Sequence, residues 1–301
     1  MEFITAGGQG PVYKWKDFAL KFHEDDSILR KMNSLRKRMP SETSMIPASL
    51  RNRTFMIGSG TAAGSDIKST TSNFFYVLVF PWLEGEPLKC TQEYSNTPRN
   101  RMASTILEGL LFLENIGVVH ADLNPENYLV DRNGIANLID IEGAGLYRLK
   151  TQEWEHKPAV YGKKVAGFPT PPEKQKDESI VNMYTDRWFG LTLISAVLTG
   201  NSPFKFLSRT DYDSLQLLRE TAEKGYENKG LVAWPPYGVE NHPYLHDILK
   251  KKDALAGWRK FWASQASGRL TPMLFSTFIR GMNEPVYRAK FKQMKIILGL
   301  A

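Results

Sequence analysis

The sequence predicts an α+β chain in two lobes, a small β-rich one carrying one main helix and a larger helical one, and three features predict it. Short strand-like runs with a single amphipathic helix fill the first ~85 residues. Pro81 closes the last of those runs, and beyond it the apolar residues recur at helical spacing.

Taken in order, Phe3-Ile4 and Val12-Tyr13 read as strands around the glycine turn Ala6-Gly7-Gly8-Gln9-Gly10-Pro11, where backbone without Cβ atoms can approach phosphate oxygens. Phe18-Ala19-Leu20-Lys21-Phe22 alternates as a strand should. Asp25-Asp26-Ser27 cap a helix whose apolar side is Ile28, Met32, Leu35 and Met39, whose opposite face is basic, and which Pro40 ends. A strand Phe55-Met56-Ile57, a Gly/Ser/Thr-rich loop from Gly58 to Asn73, expected to be mobile, and a strand Phe74 to Phe80 complete the small lobe.

In the larger lobe, Met102, Ile106, Leu107, Leu110, Leu111 and Leu113 form the stripe of a core helix. Tyr128-Leu129-Val130 and residues 135–139 read as two strands around the turn Asp131-Arg132-Asn133-Gly134. Trp188, Leu191, Leu193, Ile194, Val197 and Leu198 cover nearly every face of a helix that must be buried. From Phe204 onward the pattern gives helical segments, a Trp/Pro/Gly-rich loop from Leu231 to Tyr244 and a basic final helix to about Leu300.

With 301 residues, 42% of them hydrophobic, the chain can bury two cores, and no stretch resembles a membrane span. One cysteine, Cys90, excludes an internal disulfide and a zinc cluster. The start lacks a signal segment, so the expected compartment is cytoplasmic. The net charge of +7 is dispersed over Arg36-Lys37-Arg38, Lys163-Lys164 and Lys250-Lys251-Lys252, none interleaved with aromatics, which argues for solvated faces and against a specific nucleic-acid partner.

Chemistry concentrates in His120-Ala121-Asp122-Leu123-Asn124-Pro125-Glu126-Asn127 and Asn137-Leu138-Ile139-Asp140-Ile141-Glu142-Gly143. An acid, a carboxamide and a second acid at this spacing can align a hydroxyl and hold magnesium. Together with the glycine turn, Lys21, Pro171-Pro172-Glu173 and Thr185-Asp186-Arg187-Trp188-Phe189-Gly190, these motifs resemble, in order, the eukaryotic-like protein kinase superfamily, especially its compact bacterial Ser/Thr members. The resemblance implies a bilobal kinase fold, one kinase domain overall, with an N-lobe over 1–83 and a C-lobe over 84–301.

It further implies ATP with Mg2+ or Mn2+ as cofactors, Asp122 as catalytic base, Lys21 on the α and β phosphates, and Asn127 and Asp140 on the metal. Gly7, Gly8, Gln9 and Gly10 would lie over the phosphates, with Val12, Ala19 and Leu129 as further nucleotide contacts. Phe80 is similar to the gatekeeper and Pro81-Trp82-Leu83 to the hinge, where proline is tolerable because the donating amide belongs to Leu83. Arg288 in Glu284-Pro285-Val286-Tyr287-Arg288 would pair with Glu173, and Asp186 would accept catalytic-loop amides, its alternative being a plain helix cap.

Four departures from the family pattern matter. Ala121 replaces an arginine that grips a phosphorylated loop, so activity is expected not to depend on phosphorylation between Gly143 and Glu173, although Tyr147, Thr151, Tyr161 and Thr170 are candidate self-phosphorylation sites. Asn124 replaces a lysine that reaches the γ-phosphate, which should slow the chemistry. No acid lies between Asp26 and Glu42, where the helix partner of Lys21 belongs, leaving Glu24, Asp25 or Glu42. Glu142 puts a third acid at the site, either as a ligand of a second metal or as a salt-bridged residue.

The function expected is ATP-dependent phosphorylation of Ser or Thr on a protein substrate, the chain itself included. The alternatives are a nucleotide-binding pseudokinase acting as a scaffold and an aminoglycoside- or choline-type small-molecule phosphotransferase.

Overall fold

The computed structural model describes residues 1–7, 10–51, 55–61, 74–90, 96–159, 168, 171, 181–200, 288–298 and 300. The small lobe is an antiparallel sheet of β1 (Glu2–Gly7), β2 (Gly10–Trp15), β3 (Phe18–His23), β4 (Met56–Thr61) and β5 (Phe74–Pro81), in the order β1-β2-β3-β5-β4. β4 runs to Thr61, past the expected start of the loop at Gly58, because its pairing with β5 continues from Met56↔Val79 to Thr61↔Phe74. The rest of that loop, residues 62–73, lies outside the described residues, as do Gly8 and Gln9.

The two-residue period of β3 divides its side chains between two surfaces. Leu20 and Phe22 pack with Phe3 and Tyr13 on one face, Tyr13 and Phe22 meeting edge to face at 5.6 Å. Ala19, Lys21 and His23 take the other. Gly10 closes the β1–β2 turn opposite Gly7 with φ +122, and a Cβ there would meet the Phe22 carbonyl oxygen at 2.1 Å, so only glycine fits.

Helix α1 (Asp26–Arg38) starts at Asp25, whose carboxylate accepts from Ser27 N at 2.8 Å, and carries Arg36, Lys37 and Arg38 in its last turn, complementing the helix dipole. Met32 and Leu35 are buried beneath it as the periodicity requires. The expectation that the basic face is solvated is corrected at two residues. Lys31 is half-buried, and Arg38 turns inward to donate from Nη1 to the carbonyls of Ile116, Gly117 and Tyr147 at 3.0, 2.8 and 2.9 Å and from Nη2 to Glu155 at 2.8 Å. The helix has protein on two sides, so more than one stripe of it is covered.

After a short helix α2 (Ala48–Arg51), the larger lobe is built on α3 (Asn96–Asn115) and α4 (Thr185–Thr199), with Phe291 of the short α5 (Phe291–Ile297) against them. α4 is buried from Thr185 to Leu198, as its all-round apolarity demands. At Gly190 an added Cβ would meet the Phe291 ring at 2.6 Å and Leu110 Cδ1 at 2.8 Å, so this glycine sets how closely the elements approach.

Two small sheets complete the described lobe. One has the order β6 (Glu86–Pro87), β8 (Tyr128–Val130), β9 (Ala136–Leu138); the other joins β7 (Val118–Val119) to a hairpin of β10 (Gly145–Arg148) and β11 (Glu153–His156). The hairpin lies inside the expected activation loop. Thr151 sits exposed in its turn, and Tyr147 packs edge to face on Trp154 at 5.2 Å. Tyr161, Thr170 and Glu173, the expected partner of Arg288, lie outside the described residues, as do the segments expected between Phe204 and Tyr287. Arg288 itself is buried and donates to the Tyr184 carbonyl at 3.2 Å.

Arg38 therefore ties α1 to the larger lobe and to the hairpin at once. Arg38→Met should cost about 2–4 kcal/mol of unfolding free energy, because three carbonyls and a carboxylate lose their donor together. Chemical denaturation checks this, and a loss below ~0.5 kcal/mol would mean the clamp is not a stabilising contact.

Candidate active site

The loop from His120 to Asn127 joins β7 to β8 and is held from below by one carboxylate. Asp186, buried in the first turn of α4, accepts from His120 N at 2.6 Å and Ala121 N at 2.8 Å. It does not cap its own helix, whose N-cap is Tyr184. Burial pushes the Asp186 carboxyl up, while His120 and the two amides pull it back. This grip holds Ala121 at φ 65, a left-handed conformation that costs an L-residue roughly 1–2 kcal/mol. His120 Nε2 lies 3.3 Å from the Ile139 carbonyl and so links the loop to the strand before Asp140.

Asp122 stands between two amides. Asn124 Nδ2 donates to Oδ1 at 3.1 Å, and Asn127 Nδ2 donates to Oδ2 at 3.1 Å and to the Asp122 carbonyl at 2.6 Å. Asn124 also accepts from Glu126 N at 2.9 Å through Oδ1, capping the 3₁₀ turn Pro125–Asn127. A lysine cannot both cap the turn and reach the carboxylate, because it has no acceptor. Asn124 thus orients Asp122, a role its sequence position did not disclose.

Asn127 and Asp140 are brought together by the β8–β9 hairpin, since Ile139 N donates to the Asn127 carbonyl at 2.8 Å. The turn follows the expected four residues, with Gly134 at φ 73. Asp140 has φ 63 and ψ 39, and the 3₁₀ turn Ile141–Gly143 follows at once. That reversal sends Asp140 outward, its side chain 43% exposed, and Glu142 inward, its side chain 1% exposed.

Lys21 reaches both acids from β3, hydrogen-bonding Asp140 Oδ1 and lying 3.4 Å from Glu142 Oε2. Burial pulls the ammonium down, but Glu142 and then Asp140 outweigh it and the Lys21 pKa is raised. At 3.4 Å the Glu142 contact is an ion pair rather than a hydrogen bond, and Oε2 has no hydrogen-bond partner. None of the three expected acids takes this place: Asp25 bonds Ser27, and Glu24 and Glu42 are exposed. Lys31 of α1 also lies in the field of Glu142, which opposes the downward pull of burial on its ammonium.

The residues expected around the adenine sit on β2, β3, β5, β8 and the segment after β5. Val12 pairs with Lys21, Ala19 with Phe80, and Leu129 with Pro87 across their strands, and Val12, Ala19, Leu83 and Leu129 are each half-buried. Phe80 is buried against Phe55 at 5.7 Å. Pro81 ends β5 opposite Phe18, and Trp82 turns back toward the small lobe, donating from N to Asp17 O at 2.7 Å under Lys14 Nζ at 4.6 Å.

A hard divalent cation takes oxygen ligands. The Asp140 carboxylate and the Asn127 side-chain oxygen, left over when Nδ2 goes to Asp122, fit that requirement, and Lys21 fits phosphate. Glu142, buried beside Lys21, fits the salt-bridged alternative better than the metal one.

Comparison with known proteins gives the family. The family model for the protein tyrosine and serine/threonine kinase matches residues 31–229, more than half of the chain, and the chain belongs to that family. It is 29% identical over 149 residues to the serine/threonine-protein kinase chk1 of Schizosaccharomyces pombe, covering 48% of this chain and 28% of that protein. To mitogen-activated protein kinase 13 of Homo sapiens it is 27% identical over 161 residues, 53% of this chain and 41% of that one. To cyclin-dependent kinase 12 of Caenorhabditis elegans it is 24% identical over 202 residues, 65% and 24%. The chain thus spans less than half the length of these curated relatives. Among the described residues no helix is long and apolar enough to cross a membrane.

His23, beside Lys21 on β3, supplies a test of this cluster's burial. Burial lowers its pKa to about 4, against 6.5 for the ordinary side chain. The unfolded chain binds more protons between those values, so the stability held by neutral His23 is complete above the upper value and drains away as pH falls through the lower. Unfolding free energy should therefore fall more steeply from pH ~6.5 to ~4 in the wild type than in His23→Gln. Parallel pH profiles would place His23 in water.

Proposed function

We propose that this chain is an ATP-dependent protein kinase that phosphorylates Ser or Thr of a protein substrate, itself included, with Asp122 as the catalytic base. The observation that carries this reading is the pair of amides on Asp122, from Asn124 and Asn127, which fixes both carboxylate oxygens. A substrate hydroxyl placed against Asp122 gives up its proton there as its oxygen becomes the attacking group. When bound, magnesium–ATP would supply the phosphoryl group and the positive charge that offsets its charge build-up.

In this reading Asn127 and Asp140 offer oxygens to the metal, Lys21 offers its ammonium to the phosphates, and Gly7, Gly8, Gln9 and Gly10 cover them. Val12, Ala19, Phe80, Pro81, Leu83 and Leu129 hold the adenine end, and the N-lobe over 1–83 and C-lobe over 84–301 form the cleft walls. Loss of the arginine at position 121 is supported as tolerable by Arg38 and Glu155, which order the β10–β11 hairpin through a carboxylate. Burial is not the reason for Glu155's acidity: hydrogen bonds from Arg38 and Ser34 hold its carboxyl below the usual range. The cytoplasm remains the expected compartment.

The test is transfer of label from ATP, with magnesium, to a generic basic protein and separately to small alcohols. The protein should take label, and Asp122→Asn should cut the rate by about 10²–10⁴ while leaving ATP affinity within a few-fold. Label on the alcohols alone would make the chain a small-molecule phosphotransferase. ATP binding without any transfer would make it a scaffold.

A further inference from the structure

Lys21 needs a counter-charge that stays when its neighbours change partners. Asp140 cannot be that group, because it is the more exposed of the two acids and its oxygen is the natural ligand for a metal ion. Asp140 can exchange Lys21 for a cation, and Lys21 can exchange Asp140 for phosphate oxygens. Glu142 has nothing in the cleft to exchange for, with its side chain 1% exposed and 3.4 Å from Lys21 Nζ.

We propose that Glu142 is the positioning residue for Lys21, holding it from the 3₁₀ turn that follows the metal-binding acid rather than from α1. The inference rests on the kinase reading above and deepens it. Helix α1 then contributes a cation in place of an acid, since half-buried Lys31 lies in the field of the same carboxylate. One turn of backbone, Asp140 to Gly143, consequently sets both the metal acid and the phosphate-binding lysine. Moving α1 does not by itself separate Lys21 from its acid, and α1 is fixed at its far end by Arg38 on the Ile116, Gly117 and Tyr147 carbonyls.

The experiment measures ATP Kd and KM of the full chain, with magnesium titrated, for wild type, Glu142→Gln, Glu142→Gln with Lys31→Glu, Glu24→Gln and Glu42→Gln. Glu142→Gln should raise KM for ATP on the order of tenfold with an unchanged magnesium requirement, because the amide keeps the shape and loses the charge. Putting an acid on α1 through Lys31→Glu should restore at least about a third of the lost affinity, which a merely structural Glu142 would not permit. The two exposed acids should leave KM within about twofold.

An unchanged KM in Glu142→Gln, or a shifted magnesium requirement that makes Glu142 a metal ligand, would overturn the proposal. So would a tenfold rise in Glu24→Gln or Glu42→Gln, which decides the matter even if Glu142→Gln melts before assay. A wild type that binds ATP yet transfers no phosphate refutes the kinase reading alone, and the Kd series still tests Glu142. Normal transfer with an unaffected Glu142→Gln refutes only the positioning role.

Discussion

A buried ammonium set between two carboxylates organises this molecule. Lys21 is at once a residue of the small-lobe sheet and the partner of two acids from the larger lobe, so the lobes meet through it. Breaking such a pair from one side leaves an uncompensated charge in a poorly solvated place, at a cost of roughly 3–5 kcal/mol. The surrounding groups fit that constraint: His23 is held neutral by burial, and Lys31 lies in the field of the same Glu142 carboxylate.

Two further carboxylates make that arrangement usable. Asp186 accepts the amides of His120 and Ala121 and holds a left-handed residue just ahead of Asp122. Glu155 takes Arg38, so the hairpin after the 3₁₀ turn Ile141–Gly143 is ordered by charges already present in the chain. Each acid replaces motion with position. That is the property a phosphoryl-transfer site requires, because its chemistry is mostly placement and electrostatics.

Much of this was legible in the sequence because it depends on local rules. The period of β3, the Asp25 cap, the Asp131 to Gly134 turn and the all-round apolarity of α4 each specify an element without tertiary information. The acid that partners Lys21 was not legible. Spacing shows that Glu142 is adjacent to Asp140, but the left-handed φ that sends the two side chains to opposite sides is not a property of adjacency. Arg38 was hidden for a similar reason, since a basic last turn reads as a solvated end until a second surface covers it. The β10–β11 hairpin had no Asn-Gly or Asp-Gly turn to announce it; its left-handed position is Gln152, at φ 58, and only the alternation of Glu153-Trp154-Glu155-His156 hinted at a strand.

The most direct measurement is a crystal structure of the full chain with magnesium and a non-hydrolysable ATP analogue. Lys21 should lie on the phosphates and still pair with Glu142, with Asp140 and Asn127 on the metal and Asp122 clear of it. Glu142 in the metal's coordination sphere, or Lys21 paired with an acid outside the 141–143 turn, would contradict it.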